Sequence, residues 1–325
     1  MEKSTLSSDW RIGERLRLRD LRILQHVIAC GSMAKAAAEL SISQPAVSQS
    51  VAQLEAVLKV RLLDRSPRGV TPTIYGEALL RRGLEAFDAL RQGVRDIEFL
   101  ADPGAGEVVI GASESHIAGG FLAEIIQDLA RKHPQMVVRV IEANTAALDF
   151  RELHDRKLDM MLGRIALDRL PDGSGELHAD LLFEETLHVV AGGHNDWAHR
   201  PDIDFADLVD KPWILAPPDT AVYDLVRAAF RARGLPMPGV NVTTYSMNLR
   251  LQLLDRGPYL TAFPGSLVKY NADRWPLKVL PLSLGRPLPV AIVTLKHRTH
   301  SPAVKVFIDH ARRVTTGMRP PAALG

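Results

Sequence analysis

Residues 31–58 read GSMAKAAAELSISQPAVSQSVAQLEAVL, two short helices around a tight turn. The first half, 33–40, is rich in alanine, the best helix former, and begins after Ser32, a natural N-cap. Ser41-Ile42-Ser43 breaks the pattern, because serine hydroxyls compete for nearby backbone groups. Ser43 then caps a second helix, where Pro45 is tolerated in a first turn that has N–H groups to spare. Along that helix Ala46, Val47, Val51, Leu54 and Leu58 recur at helical spacing and form a face to bury. Gln44, Ser48, Gln49 and Gln53 stay polar, and short hydrogen-bonding side chains on one exposed face suit base edges in a major groove. An amphipathic hairpin inside an ordinary core would show the same spacing, so the neighbouring residues decide.

Those neighbours are a turn-rich basic segment at 63–73, LDRSPRGVTPT, which suits a small β-wing with Arg65 and Arg68 near phosphates. Tyr75-Gly76-Glu77-Ala78 then opens a long helix. Taken together, 36–80, AAAELSISQPAVSQSVAQLEAVLKVRLLDRSPRGVTPTIYGEALL, resembles the winged helix-turn-helix of the LysR-type transcriptional regulators, and the likeness extends over roughly 18–100. The resemblance implies base contacts from Gln44, Ser48 and Gln49, with Pro45 setting the helix against the groove. Ser32, Lys35, Ser43, Ser50, Gln53, Arg65 and Arg68 would be the accompanying contacts. Gln49 stands where many members carry Arg or Lys, so no base preference carries over at that position. The later stretches LHVVAGG (187–193) and IVTLKHRTHSPAVKVFIDHARRV (292–314) resemble the galactose-binding-protein regulator subgroup. That likeness implies a sugar, a sugar-derived acid, or an aromatic or other organic acid as effector.

Charge placement agrees. The 325 residues carry a net charge of only +2, but residues 1–72 hold eleven Lys and Arg against seven Asp and Glu, a basic head on a slightly acidic body. An apolar content of 46% leaves ample material for two or three domains. Cys30 is the single cysteine, which excludes an internal disulfide and suits a reducing cytoplasm. No apolar run is long enough to cross a bilayer, and no signal-peptide core opens the chain.

Outward from the head, residues 1–16 read as a flexible arm, 17–74 as the winged helix-turn-helix and 75–101 as a linker helix. Leu18, Leu21, Leu24, Val27 and Ile28 give the first helix a buried stripe. The linker carries Leu80, Gly83, Phe87, Leu90, Val94, Ile97 and Ala101 at alternating three- and four-residue steps, a narrow seam that suits a coiled coil. The family resemblance makes Phe87, Leu90, Val94 and Ile97 a contact between subunits of a homodimer or homotetramer; a surface helix of a single chain is the alternative. Residues 102–106, DPGAG, stop the helix and read as a hinge.

From 107 to 315 strands and helices alternate: strands at 107–112, 136–143 and 158–163, helices at 116–132 and 145–156. This pattern predicts a mainly parallel sheet with helices on both faces. A strand at 181–191 crosses into a second lobe with strands at 213–216, 240–244 and 259–263 and helices at 220–233 and 247–256. The strand at 288–296 and the helix at 302–314 return to the first lobe, and 316–325 is a loose tail. The expected fold is therefore an all-α winged helix-turn-helix with a long linker helix, then a two-lobed α/β domain of the periplasmic-binding-protein type. Lobe I spans about 107–180 and 286–315, and lobe II about 181–285.

In open α/β sheets ligands sit beyond the carboxyl ends of strands, where helix N-termini present free N–H groups. Three such ends place Ser113, Ser115 and His116, then Asn144 and Thr145, then Asp219 and Thr220, around one expected cleft. Arg164 and Phe263 would add a polar and an apolar wall. Ser, Thr, Asn and Asp are also ordinary N-caps, and each of these residues is open to that reading. The sequence holds no HExxH, no Walker A loop, no dinucleotide fingerprint and no G-x-S-x-G, so neither metal nor cofactor nor catalytic site is expected. A purely architectural DNA-binding protein would have no use for some 200 residues of α/β lobes. The expected partners are double-stranded DNA and a small-molecule effector, with RNA polymerase left open and no membrane.

Overall fold

A computed structural model describes residues 16–67, 69–143, 149–164, 174–218 and 220–318. The expected arm at 1–16 (save Leu16), Arg68, Asn144, Thr145, Asp219 and the end of the tail lie outside the described residues. The chain divides into two compact units, Met1–Arg91 and Gln92–Gly325.

In the first unit α1 (Leu18–Cys30), α2 (Met33–Glu39) and α3 (Gln44–Leu58) enclose a core of Ile23, Leu24, Val27, Ala36, Val47, Val51 and Leu54. Both expected caps are present: Ser32 Oγ accepts from Lys35 N, and Ser43 Oγ accepts from Ala46 N. β1 (Leu63–Ser66) and β2 (Gly69–Pro72) pair antiparallel as the wing, with Arg65 opposite Val70. Glu55 fastens the wing to α3, its Oε1 accepting from Leu62 N at 2.8 Å and Leu63 N at 3.3 Å. Thr73 Oγ1 donates to Arg61 O and accepts from Gly76 N, and a Cβ on Gly76 would run into Leu62 O. The T-P-T-x-Y-G run is thus a joint between the wing and α4 (Ile74–Ala101) that has no room for a side chain at Gly76.

Among the described residues the second unit holds two five-stranded sheets. The first has the order β4-β3-β5-β12-β6, built from β3 (Gly106–Ala112), β4 (Met136–Glu142), β5 (Met160–Arg164), β6 (Leu177–Glu185) and β12 (Leu288–Leu295). The second has the order β11-β7-β10-β8-β9, built from β7 (Leu187–Gly192), β8 (Trp213–Leu215), β9 (Val240–Thr243), β10 (Leu260–Pro264) and β11 (Leu277–Ser283). Both sheets are mixed rather than mainly parallel. β3 runs parallel to β4 and β5, but the crossing strands β6 and β12 pair antiparallel; β10 is parallel to β8 and antiparallel to β7. Two crossings demand this, because each lobe must receive a strand that arrives from the other.

Three expected elements change form. The helix at 116–132 is two, α5 (Glu114–Ile117) and α6 (Phe121–Lys132), because Gly120 has a φ of 82° and lies against Tyr270, leaving no space for a Cβ. Of the helix at 145–156, the described part is one turn, α7 (Arg151–His154). The crossing strand at 181–191 is β6 and β7 with Thr186 between them, so lobe I extends to Glu185. The remaining helices are α8 (Ala221–Arg231), α9 (Met247–Arg256), α10 (Gly265–Asn271) and α11 (Pro302–Thr315). Lobe I packs Phe121, Ile125, Phe183, Val304 and Phe307 beside its sheet, and lobe II packs Phe205, Trp213, Val226 and Phe230. No helix among the described residues is long and apolar enough to cross a membrane.

Candidate DNA-facing surface and effector cavity

On α3 the inward positions Val47, Val51 and Leu54 are fully buried, which turns Gln44, Pro45, Gln49 and Gln53 to solvent and leaves Ser48 half-buried. Lys35 on α2 and Arg65 on the wing are exposed as well. Ser50 is the exception among the expected contacts. It is 6% exposed, and its hydroxyl donates to Asp20 Oδ1 at 2.5 Å. One helical step beyond Gln49 the side chain faces α1, so Ser50 joins helices and is not available to a phosphate.

Between the two sheets lies a cavity of about 380 Å³. Ser113, Ser115, His116 and Arg164 line it from lobe I, and Thr220 from lobe II, as expected from the strand ends. Ser113 Oγ lies 2.6 Å from His116 Nδ1 and 3.0 Å from Ser115 Oγ, which accepts from Arg164 Nη1 at 2.8 Å. Arg164 Nη2 donates to Glu185 at 3.4 Å, and Glu185 also accepts from Ser266 N and Oγ at 3.0 and 2.7 Å. A chain of polar groups thus runs from the cavity wall to the crossing point of the lobes. Burial pushes the His116 imidazole well below its ordinary range, and the neighbouring Arg164 charge adds to the effect. Burial also lowers Arg164, against the pull of Glu185. Two nitrogens of this cluster, His116 Nε2 and Arg164 Nε, are buried with no hydrogen-bond partner among the described residues.

Thr220 is both lining and cap: its hydroxyl donates to Pro217 O at 2.8 Å and accepts from Tyr223 N at 3.3 Å. Phe263 does not form the expected apolar wall. It is fully buried among Val190, Met247, Leu251 and Leu267, while its neighbours Ala262 and Pro264 line the cavity. Alternation along β10 sends adjacent side chains to opposite faces of the sheet.

Glu114, Glu142, Tyr245, Met247 and Arg250 also line the cavity and were not anticipated. Tyr245 follows β9 as Ser113 follows β3, so the same strand-end rule applied to a fourth strand would have found it. Arg250 has no local signal. It sits in α9, donates twice to Thr244 O at 3.2 and 2.9 Å, and is lowered to about 10 by burial, opposed by Glu114. Glu114 spans the lobes, its Oε1 lying 3.4 Å from both Ser246 Oγ and Asn248 N at the start of α9. No group of His, Cys, Asp and Glu suited to a metal ion occurs among the described residues.

A winged helix-turn-helix followed by a two-lobed α/β domain with a cavity between its sheets defines a ligand-responsive DNA-binding protein. Residues 18–77 match the family model of bacterial regulatory helix-turn-helix proteins of the lysR family, and residues 101–316 match the LysR substrate binding domain. The chain belongs to the LysR family: it is a DNA-binding transcriptional regulator with an effector-binding domain, not an enzyme. It is 28% identical over 314 residues to the HTH-type transcriptional regulator GbpR of Azospirillum brasilense, covering 96% of this chain and 91% of that protein. It is 30% identical over 238 residues to GbpR of Rhizobium radiobacter, covering 72% and 76%. In fold it is similar to full-length CbnR complexed with its target DNA, with a TM-score of 0.62 at 20% identity, covering 92% of this chain and 99% of that one.

Proposed function

We propose that α3 reads an operator through Gln44, Ser48 and Gln49, with Pro45 and Gln53 at its flanks. Arg65 on the wing, with Arg68, Lys35, Ser32 and Ser43, would hold the DNA backbone. The observation that supports this most directly is the division of α3 into a buried apolar face and an exposed face of amide side chains. An exposed apolar row supports assembly through α4: Leu90, Val94 and Ile97 are 53%, 55% and 68% exposed, with Phe87 half-buried beside them. Three large apolar side chains in line on one helix fit a subunit contact of a homodimer or homotetramer better than a solvated surface. RNA polymerase is a further partner of this reading.

The cavity favours an uncharged, hydroxylated effector over an organic acid. Arg164 already pairs with Glu185, and Arg250 donates twice to Thr244 O with the Glu114 charge acting on it. Among the described lining residues two carboxylates, Glu114 and Glu142, balance the two guanidinium groups, with Glu185 behind Arg164. A ligand carboxylate would have to compete with Glu185 for Arg164 and would enter beside Glu114 and Glu142, whereas hydroxyls can exchange with serine, glutamate and arginine partners. Ala216, Val222, Met247, Ala262 and Pro264 supply apolar walls around them. A sugar fits this description, in keeping with the two relatives named GbpR.

Thermal shift with matched pairs, a monosaccharide and the acid of the same carbon skeleton, tests the effector class; selective stabilisation by the acids would reverse it. Footprinting of genomic fragments with and without the stabilising compound tests the regulator reading, which requires protection that changes with ligand.

A further inference from the structure

The loop at 102–106 was expected to be the hinge between the linker helix and the effector domain, but a buried charge cluster bridges it. Asp159, 2% exposed, immediately precedes β5. Its Oδ1 accepts from Arg95 Nη1 and Arg298 Nη2, each at 2.9 Å, and its Oδ2 accepts from Val109 N at 2.9 Å. Arg298 is held in turn, donating Nη1 to Leu158 O at 2.7 Å. Arg95 also lies 3.5 Å from Glu107, at the start of β3, and Glu107 pairs with Arg139 on β4. Arg95 belongs to α4, upstream of the loop; every partner named here lies downstream of it. The division between the two compact units falls between Arg91 and Gln92, upstream of this cluster and not in the loop.

We propose that Asp159, acting through Arg95, makes the last turns of the linker helix, residues 92–101, part of lobe I, so that 102–106 is a connector and not a pivot. Arg95 and Asp159 are positioning residues in this scheme. A carboxylate that accepts from two guanidinium groups and a backbone N–H in a buried site is fully engaged, and its bonds gain strength from exclusion of water. The same carboxylate sits at the foot of the strand whose far end, Arg164, lines the cavity. β5 begins at the next residue, and Arg164 lies roughly 17 Å from Asp159 along it, five residues at about 3.3 Å each. β3 (Gly106–Ala112) is held by Asp159 at Val109, its fourth residue, and Ser113 lies just beyond its end. Both strands that lead to the lobe I wall are therefore tied to the group that holds the helix, β5 at its start and β3 at its middle. A displacement of that wall is delivered to residues 92–101 directly, without passing through the loop.

The test measures the spread of distances between the end of the helix and lobe I in the full-length protein. Spin labels are placed on Glu98→Cys and Arg131→Cys, both exposed positions, in a Cys30→Ser background and diluted with unlabelled protein. The distance distribution is recorded for this parent, for Arg95→Ala, and for a chain with two extra glycines between Gly104 and Ala105. The expected result is a narrow distribution in the parent, the same narrow distribution in the lengthened loop, and a broad one shifted to longer distance in Arg95→Ala. Arg95→Gln, which keeps most of the stem and loses the charge, serves as the second variant and should also broaden it. A narrow distribution in both Arg95 variants overturns the proposal, as does broadening by the lengthened loop alone. Neither result depends on the effector class or on the operator, so the test stands apart from the functional reading above.

Discussion

Removing the Glu185 carboxylate should be among the most damaging single changes in the effector domain. Arg164 and Glu185 are 7% and 3% exposed and 3.4 Å apart, and Ser266 gives Glu185 two further hydrogen bonds. Glu185→Ala leaves the guanidinium buried with Ser115 Oγ as its remaining acceptor, and leaves both Ser266 donors open. Breaking a buried pair by deleting one partner costs about 3–5 kcal/mol, because the other charge remains without water or counterion. For a folding unit of this size each kcal/mol moves the midpoint by about 2–4 °C, so the melting temperature should fall by roughly 6–20 °C. Calorimetry and urea titration of the full chain read the effect. Glu185→Gln should cost less, since the amide oxygen can still accept from Ser266. Arg164→Met with Glu185→Leu should recover most of the loss, since no charge is then left in the site. The reasoning fails if Glu185→Ala stays within about 1 kcal/mol of the wild type, or if the double apolar variant is no better than the single.

Ser50→Ala should destabilise the head by about 1–3 kcal/mol, leaving a buried Asp20 oxygen without its donor, while operator affinity of the folded protein holds; urea unfolding and a binding titration separate the two. A loss of affinity at unchanged stability would return Ser50 to the DNA surface. Leu90→Glu places a charge in the exposed apolar row of α4 and should give a smaller assembly by light scattering; an unchanged assembly would mean that subunits meet elsewhere. Acidification should weaken the fold through His116. Its folded-state affinity for a proton is depressed, so its contribution is complete above about pH 6.5 and is lost as pH falls below that, where the unfolded chain binds the proton and the native state resists it. The stability difference between wild type and His116→Gln, followed by urea midpoints from pH 7.5 to 5.5, should therefore shrink toward acid; a constant or growing difference would contradict the assignment.

Local chemistry was legible in the sequence, and distant pairing was not. Ser32, Ser43 and Pro45 carry their meaning within one turn of helix, and both hydroxyls cap where expected. Ser50 lies on the same helix, but its role is fixed by Asp20, thirty residues earlier, and a polar pattern gives no hint of a buried partner. The strand-end rule found the cavity because topology alone puts those ends together, yet it says nothing about Arg250, which arrives from a helix face. Phe263 was misplaced by the alternation of β10: a shift of one residue in a strand exchanges its two faces. α10 and β11 were missed although they complete lobe II, and with α10 went Ser266, which satisfies Glu185 from 81 residues away. Thr186 divides the crossing strand without any glycine, proline or asparagine to mark the break.

The way the lobes are tied indicates which bonds an effector must exchange. Glu185 with Ser266, Tyr270 OH with Glu124 at 2.6 Å, and Asn271 Nδ2 with Ala118 O at 3.0 Å are short and lie on α10 and the crossing strand. Glu114 reaches Ser246 and Asn248 at 3.4 Å each, on the side where the cavity is lined by Glu114, Tyr245 and Met247. A ligand shifts the balance between two arrangements only by the difference in its affinity for them, and turning a 1:99 mixture into 99:1 takes about 5.5 kcal/mol. Exchanging two long hydrogen bonds for better ones, at about 0.5–1.5 kcal/mol each, supplies only part of that. Giving partners to His116 Nε2 and Arg164 Nε, which have none among the described residues, supplies a comparable further part, because a buried polar atom left without a partner costs about 1–3 kcal/mol. Both of those nitrogens belong to lobe I, His116 on α5 and Arg164 at the end of β5, the strand that Asp159 immediately precedes.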